Sequence, residues 1–141
     1  VVLVGALQQL ISIGEKLTNP YLEEWKRKGK KIIGFICSYA PEELLYAADV
    51  LPYRIKALES VETTMGDVYL YKYHCTFCRH LLDLVIRGRY DFLDGVVFMN
   101  PCDTIRRVYE IWKKMKVLPF MGFVMVPHVI NEHGSSSTLR S

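Results

Sequence analysis

The sequence lacks a strong charge of either sign. Its 18 basic and 15 acidic side chains leave a net +3 over 141 residues. That excess is too mild for a nucleic-acid binder, which gathers basic charge on one face. Long hydrophobic runs are missing too. Apolar stretches such as Val1–Leu7 and Val117–Val126 fall well short of the about 20 residues a membrane helix needs, and the second holds Pro119 and Gly122. No basic region precedes Val1, so the apolar start is not read as a secretory signal. With no initiator methionine, the chain reads as processed, trimmed or a fragment. There is no Walker loop, GxGxxG, GxSxG or HExxH. Cysteine is scarce. Cys37, Cys75, Cys78 and Cys102 are too few and too spread for a disulfide scaffold. They suggest reduced thiols, metal ligands or core residues in a cytosolic protein.

What is present is globular. Half the residues are apolar and 23% are charged, an ordinary composition for a folded domain. A domain of this size buries enough surface to hold a core without a disulfide or a metal.

The patterning predicts alternating helices and strands. Residues 3–17 read as a helix, with Leu3, Leu7, Leu10, Ile11 and Leu17 near one face. Asn19-Pro20 restarts a helix, Asn as cap and Pro in the first turn, and Gly29 stops it after the basic run from Lys26 to Lys31. That run reads as a solvated helix end or as a phosphate contact. Ile32–Ile36 is a short apolar run of buried-strand type. Pro41-Glu42-Glu43 opens a helix whose buried side is expected from Leu44, Leu45, Ala47 and Ala48. Pro52–Leu58 is a second strand candidate. Residues 59–73 read as a loop with a short element. Cys78–Arg87 reads as a helix with Leu81, Leu84 and Val85 inward, stopped by Gly88. Gly95–Met99 is another buried strand. Asp103 is expected to cap a helix over 104–116, with Ile105, Val108, Ile111, Trp112 and Met115 on one face. Val117–Val126 is a last strand candidate, interrupted by Gly122, and Gly134–Ser141 is a loose polar tail. The fold class is therefore α/β, a Rossmann-like, mostly parallel sheet flanked by helices and preceded by N-terminal helices.

In such sheets ligands sit at the carboxyl ends of strands. Cys37 and Ser38 follow one strand directly. Asn100, Pro101 and Cys102 follow another. Ser38 lies in a strand-to-helix turn that either holds an anionic or carbonyl oxygen or simply caps the helix. Cys102-Asp103 opens a helix, whose first amides stabilise a thiolate. Cys102 is thus a cluster ligand, a reactive thiol or a small residue at a tight turn. Cys75-x-x-Cys78 has the spacing to grip zinc or an iron–sulfur cluster, to act as a redox pair, or to sit in the core. His74 and His80 flank it. His128 and His133 have no partner in the pattern.

As an ordered set, these segments resemble the 2-hydroxyacyl-CoA dehydratase and benzoyl-CoA reductase family. The resemblance runs through Gly29–Ala48 with its Cys37-Ser38-Tyr39-Ala40-Pro41-Glu42-Glu43, then Leu51-Pro52-Tyr53-Arg54, then Cys75-Thr76-Phe77-Cys78-Arg79. Tyr90-Asp91-Phe92-Leu93-Asp94-Gly95-Val96-Val97 follows, and then Cys102-Asp103 leading into Arg106–Trp112. It covers about residues 20–130. Pro127-His128 fits the benzoyl-CoA reductase side.

The resemblance implies an oxygen-sensitive enzyme carrying a [4Fe-4S] cluster on three cysteines. It also implies a homologous second subunit, an ATP-dependent activator or other electron-donating protein, and a CoA thioester substrate reduced by one low-potential electron. By position, Cys75 and Cys102 match cluster ligands, with the third cysteine expected downstream of this chain. Cys78 is read as a spare thiol. Cys37 and Ser38 match the turn that approaches substrate, Ser38 being the polar contact. No catalytic residue is assigned. Asp49 stands where the family has glycine, and Asp tolerates the left-handed turn.

On this reading, residues 1–30 are an N-terminal helical segment and 31–130 a cluster-binding α/β domain. Residues 131–141 are a tail or truncation point, and the whole is the N-terminal part of a cytoplasmic subunit with no nucleic-acid or membrane partner. A subunit that only relays electrons or supports a catalytic partner is the alternative. A zinc module built on Cys75, Cys78, Cys102 and His74 or His80 is a third reading.

Overall fold

A computed structural model describes residues 2–126. The chain runs α1 (Val2–Gly14), α2 (Pro20–Arg27), β1 (Ile32–Phe35), α3 (Glu42–Ala47) and β2 (Leu51–Arg54). A 3-10 turn (Gly66–Val68), α4 (Thr76–Ile86), β3 (Gly95–Met99), α5 (Asp103–Met115) and β4 (Phe120–Val124) follow. Contacts divide it into two compact units. One is made of Val1–Lys31 and Lys56–Phe92, the other of Ile32–Ile55 and Leu93–Ser141. Among the described residues no helix is long and apolar enough to cross a membrane. The positions of His128, His133 and the expected polar tail lie outside the described residues.

The second unit holds a four-stranded sheet in the order β2-β1-β3-β4. Every pairing is parallel, so the expected Rossmann-like α/β architecture is present. The apolar runs at 32–35 and 95–99 are its two central strands, with Ile32, Phe35, Val96, Phe98 and Met99 buried. Asp94 aligns their starts. Its carboxylate accepts from the Ile32 amide at 2.9 Å, and its own amide donates to the Ile32 carbonyl at 2.9 Å. Helix α5 packs on β3. Ile105, Val108 and Trp112 form its buried stripe, and Trp112 meets Phe98 edge-on at 5.2 Å. The αL residue Lys116 closes α5, with φ 51°.

The first unit carries α1, α2 and α4. Asn19 caps α2 as expected, its side chain accepting from the amides of Tyr21 and Leu22. Six residues of α4, from Cys78 to Val85, are buried. Segment 59–73 is a loop pinned to α4 by side chains. Arg79 pairs with Asp67, Asp83 accepts from the Met65 amide at 2.8 Å, and His80 meets Ser60 at 2.6 Å.

Several expectations are corrected. Helix α3 buries nothing. Leu44 is 68% exposed, Ala47 and Ala48 are exposed, and Leu45 is half-buried. Six residues make under two turns, too short to set a whole stripe against the sheet. Strand β2 is Leu51–Arg54, not 52–58, because pairing with β1 ends at Arg54. Strand β4 is continuous through Gly122, which pairs with Val97. Cys102, not Asp103, is the N-cap of α5, with extended backbone (φ −161°, ψ 165°). Helix α1 stops at Gly14, and Leu7, Leu10 and Ile11 on it are exposed while Leu17 beyond it is buried.

Candidate functional site

The strand order reverses between β1 and β3. From β1 the chain goes to β2 on one side and later to β3 on the other. Open parallel sheets leave a crevice at such a switch point, at the carboxyl ends of the strands. The residues that follow β1 and β3 stand at that end of the sheet: Cys37 and Ser38 after one strand, Asn100 to Cys102 after the other.

After β1 the chain turns sharply. The Ala40 amide donates to the Cys37 carbonyl at 3.3 Å, and Cys37 has φ +98°, a conformation rare outside glycine. The Cys37 side chain is half-buried and packs against the Phe35, Ala40 and Met99 cluster. Ser38 is exposed. It sits in this turn and not at a helix start, because α3 begins only at Glu42. Arg54, the last residue of β2, donates through Nη2 to Ser38 Oγ at 3.3 Å. After β3, Asn100 Oδ1 accepts from the Val126 amide at 2.7 Å. All four strands thus contribute at one edge. Sequence reasoning assigns Arg54 and Asn100 no role. The available signal is positional: a polar side chain at the carboxyl end of a strand.

Cys75 and Cys102 occupy equivalent local settings, one in each unit. Cys75 is the N-cap of α4 and Cys102 the N-cap of α5. Both are exposed free thiols, and neither makes a side-chain capping bond. A helix start favours negative charge at such a position. Cys78 differs: it is 1% exposed and lies among the core side chains of α4. Two soft donors at helix starts are chemically apt for iron–sulfur ligation. No group of three or more His, Cys, Asp or Glu able to hold a metal ion occurs among the described residues. The same finding leaves the zinc module without an assembled site there.

The Ser60–His80 contact is structural. Ser60 Oγ donates its only proton to the Glu62 carbonyl at 2.9 Å. His80 Nδ1 must therefore donate to Ser60, which leaves no arrangement for serine activation by this histidine. Nearby charges are also engaged. Hydrogen bonding from Arg79 holds the Asp67 carboxyl below its ordinary range. Burial pushes Asp83 up, but hydrogen bonds from Arg87 and the amides of Met65 and Gly66 outweigh it and leave Asp83 lowered.

The all-parallel sheet flanked by helices defines an α/β protein of the Rossmann-like type. The model of the 2-hydroxyglutaryl-CoA dehydratase D-component family matches residues 37–139, and the chain belongs to that family. It is 32% identical over 116 residues to a benzoyl-CoA reductase subunit of Thauera aromatica, covering 80% of this chain and 30% of that protein. It is 33% identical over 111 residues to the beta subunit of (R)-2-hydroxyglutaryl-CoA dehydratase of Acidaminococcus fermentans, covering 77% and 29%. A similar match, 31% over 111 residues, is to the beta subunit of lactoyl-CoA dehydratase of Anaerotignum propionicum, covering 79% and 29%. The chain thus spans under a third of the length of these relatives.

Proposed function

We propose that this chain is part of a subunit of an oxygen-sensitive iron–sulfur enzyme that reduces a CoA thioester by one low-potential electron, as a benzoyl-CoA reductase or a 2-hydroxyacyl-CoA dehydratase. The observation that carries this reading is family membership over residues 37–139, a stretch that includes the crevice turn and both N-cap cysteines. Cys75 and Cys102 each supply a thiolate, and a third ligand comes from outside these residues. The cluster, when bound, supplies single electrons at low potential. The chain's own residues do the rest. Ser38 and Cys37 form the turn that meets the substrate, with the Ser38 hydroxyl as the polar contact. A homologous second subunit and an ATP-dependent activator or electron-donating protein complete the system, in the cytoplasm.

The relatives are each one subunit of their enzyme. This keeps a second reading in view, in which the subunit relays electrons to a catalytic partner or supports it.

The test is turnover by the full-length subunit with its partner subunit and activator, without oxygen, on benzoyl-CoA and on 2-hydroxyglutaryl-CoA and lactoyl-CoA. ATP-dependent conversion of one of these supports the proposal. No conversion of any, by a complex loaded with iron and sulfide, overturns it. Conversion that survives Ser38→Ala unchanged assigns the chain to the supporting role.

A further inference from the structure

Helix α1 carries an apolar stripe that the described residues leave uncovered. Val4, Leu7, Leu10 and Ile11 recur at spacings of three and four, which sets them on one face. They are between 46% and 66% exposed. The opposite face is polar and neutral, with Gln8, Gln9 and Ser12. No charged residue occurs before Glu15. From Val4 to Gly14 only Ile13 is even half-buried.

The contacts that hold this helix lie at its C-terminal end. Lys56 Nζ donates to the Gly14 carbonyl at 3.4 Å. Beyond the helix, the amide of the buried Leu17 donates to Glu59 at 3.1 Å. The 13 residues of α1 make a rod about 20 Å long, and a helix of that length is marginal in water by itself. Packing of an apolar face is what stabilises such helices in proteins, so this stripe is built to be covered.

The character of the helix narrows what covers it. Helices that lie on membranes carry Lys and Arg on the polar face, and α1 has neither. A seam between two copies of α1 would run under two heptads, short of the three or four that a coiled coil needs. Helix α1 also lies outside residues 37–139, the stretch that carries the family likeness. A segment outside the common pattern is where one pairing of subunits differs from another. A partner chain therefore fits this face better than the subunit's own shared body. Anchors at i, i+3 and i+7 are the signature of a helix laid into an apolar groove.

We propose that α1 is a docking helix whose Val4, Leu7, Leu10 and Ile11 face fills an apolar, uncharged groove on the second subunit of the enzyme. This rests on the reading above that the chain works in a complex with such a subunit.

The experiment follows hydrogen exchange of residues 5–14 in the full-length subunit, free and with its partner subunit, together with the dissociation constant of the pair. These amides should exchange fast in the free subunit, and the partner should slow them by about tenfold or more. Leu7→Ala with Ile11→Ala removes the anchors and keeps helix propensity. This double variant should weaken the pair by about a hundredfold, with the melting temperature of the free subunit unchanged. Gln8→Ala with Ser12→Ala, on the other face, should change affinity by under about twofold. Slow exchange in the free subunit overturns the proposal, because the subunit's own chain is then the cover. So does protection that rises with the concentration of the subunit alone, which means a second copy. Protection by vesicles of phosphatidylserine and phosphatidylcholine but not by the partner subunit overturns it in favour of a lipid surface. A pair that forms as tightly with Leu7→Ala and Ile11→Ala overturns the docking site and leaves the reading of a two-subunit enzyme intact. No association of the two subunits at all overturns that reading, and the docking site with it.

Discussion

The guanidinium of Arg79 donates at two points to the carboxylate of Asp67, Nε to Oδ1 at 2.5 Å and Nη2 to Oδ2 at 2.7 Å. Nη2 also reaches Thr63 Oγ1 at 2.9 Å. A forked donor on α4 therefore holds the loop that leads into Cys75. Lysine cannot reproduce that two-point geometry. Arg79→Lys is expected to loosen residues 63–70 selectively. Hydrogen exchange should show faster exchange of the Asp67 and Leu70 amides, while the amides of β1 and β3 stay protected. Uniform acceleration across both units would contradict a local role.

Acid should unlock the same loop. The carboxyls of Asp67 and Glu59 are lowered by hydrogen bonds from Arg79 and from the Leu17 amide respectively. Asp83 is lowered despite its burial. A carboxyl with a depressed folded-state value binds protons more readily when unfolded. Its stabilisation is therefore complete above the ordinary carboxylate range near pH 4 and is lost as pH falls through the lowered value. The urea midpoint should hold steady from neutral pH to about 5 and fall below it. Asp83→Ala, which strips a partner from the Met65 amide and from Arg87, should cost about 3 kcal/mol at pH 7. It should also flatten the acid slope; a mutant slope as steep as wild type would sink this account.

Glycines offer a clean contrast. A Cβ at Gly66 would lie 2.2 Å from the Arg79 carbonyl oxygen, whereas one at Gly5 meets nothing within 4 Å. Gly66→Ala must push the 3-10 turn off α4 and should destabilise by about 3 kcal/mol. Gly5→Ala, inside α1, should stabilise by up to about 1 kcal/mol. Denaturant titration of the two variants decides, and a Gly66→Ala protein as stable as wild type would refute the close approach.

Cys37 at φ +98° carries backbone strain that any side chain shares and glycine avoids. Cys37→Gly should therefore be more stable than Cys37→Ala by about 1 kcal/mol, the reverse of the usual order of these residues. Equal stabilities would mean that the turn relaxes without cost.

Much of the fold is legible in the sequence. Ile32–Phe35 and Gly95–Met99 are continuous apolar runs because central parallel strands are covered on both faces. The stripe Ile105, Val108, Trp112 marks α5 for the same kind of reason. Asp49 adopts the left-handed turn, φ 56°, that its place after α3 calls for. Other features depend on partners distant in sequence. Leu44 is apolar yet exposed, since α3 is too short for composition to decide its facing. Segment 59–73 has no periodicity, because its order comes from α4 and the residue that caps it, 12 to 25 residues away. The cap of α5 is Cys102 and not the better capping residue Asp103. Extended backbone reaches through 102, and the helix can begin only after it. Arg54 and Asn100 gain meaning only once the strand order brings their strands to one edge.

Which cysteines are ligands is tested most directly by metal content. The full-length subunit and its Cys75→Ala, Cys102→Ala and Cys78→Ala variants would be purified without oxygen and analysed for iron, acid-labile sulfide and zinc. Exposed N-cap thiols as ligands and a buried core thiol as bystander predict about four irons and four sulfides per chain in the wild type. They also predict loss in Cys75→Ala and Cys102→Ala and retention in Cys78→Ala. Full iron in Cys102→Ala, or zinc in place of iron in the wild type, would contradict the account.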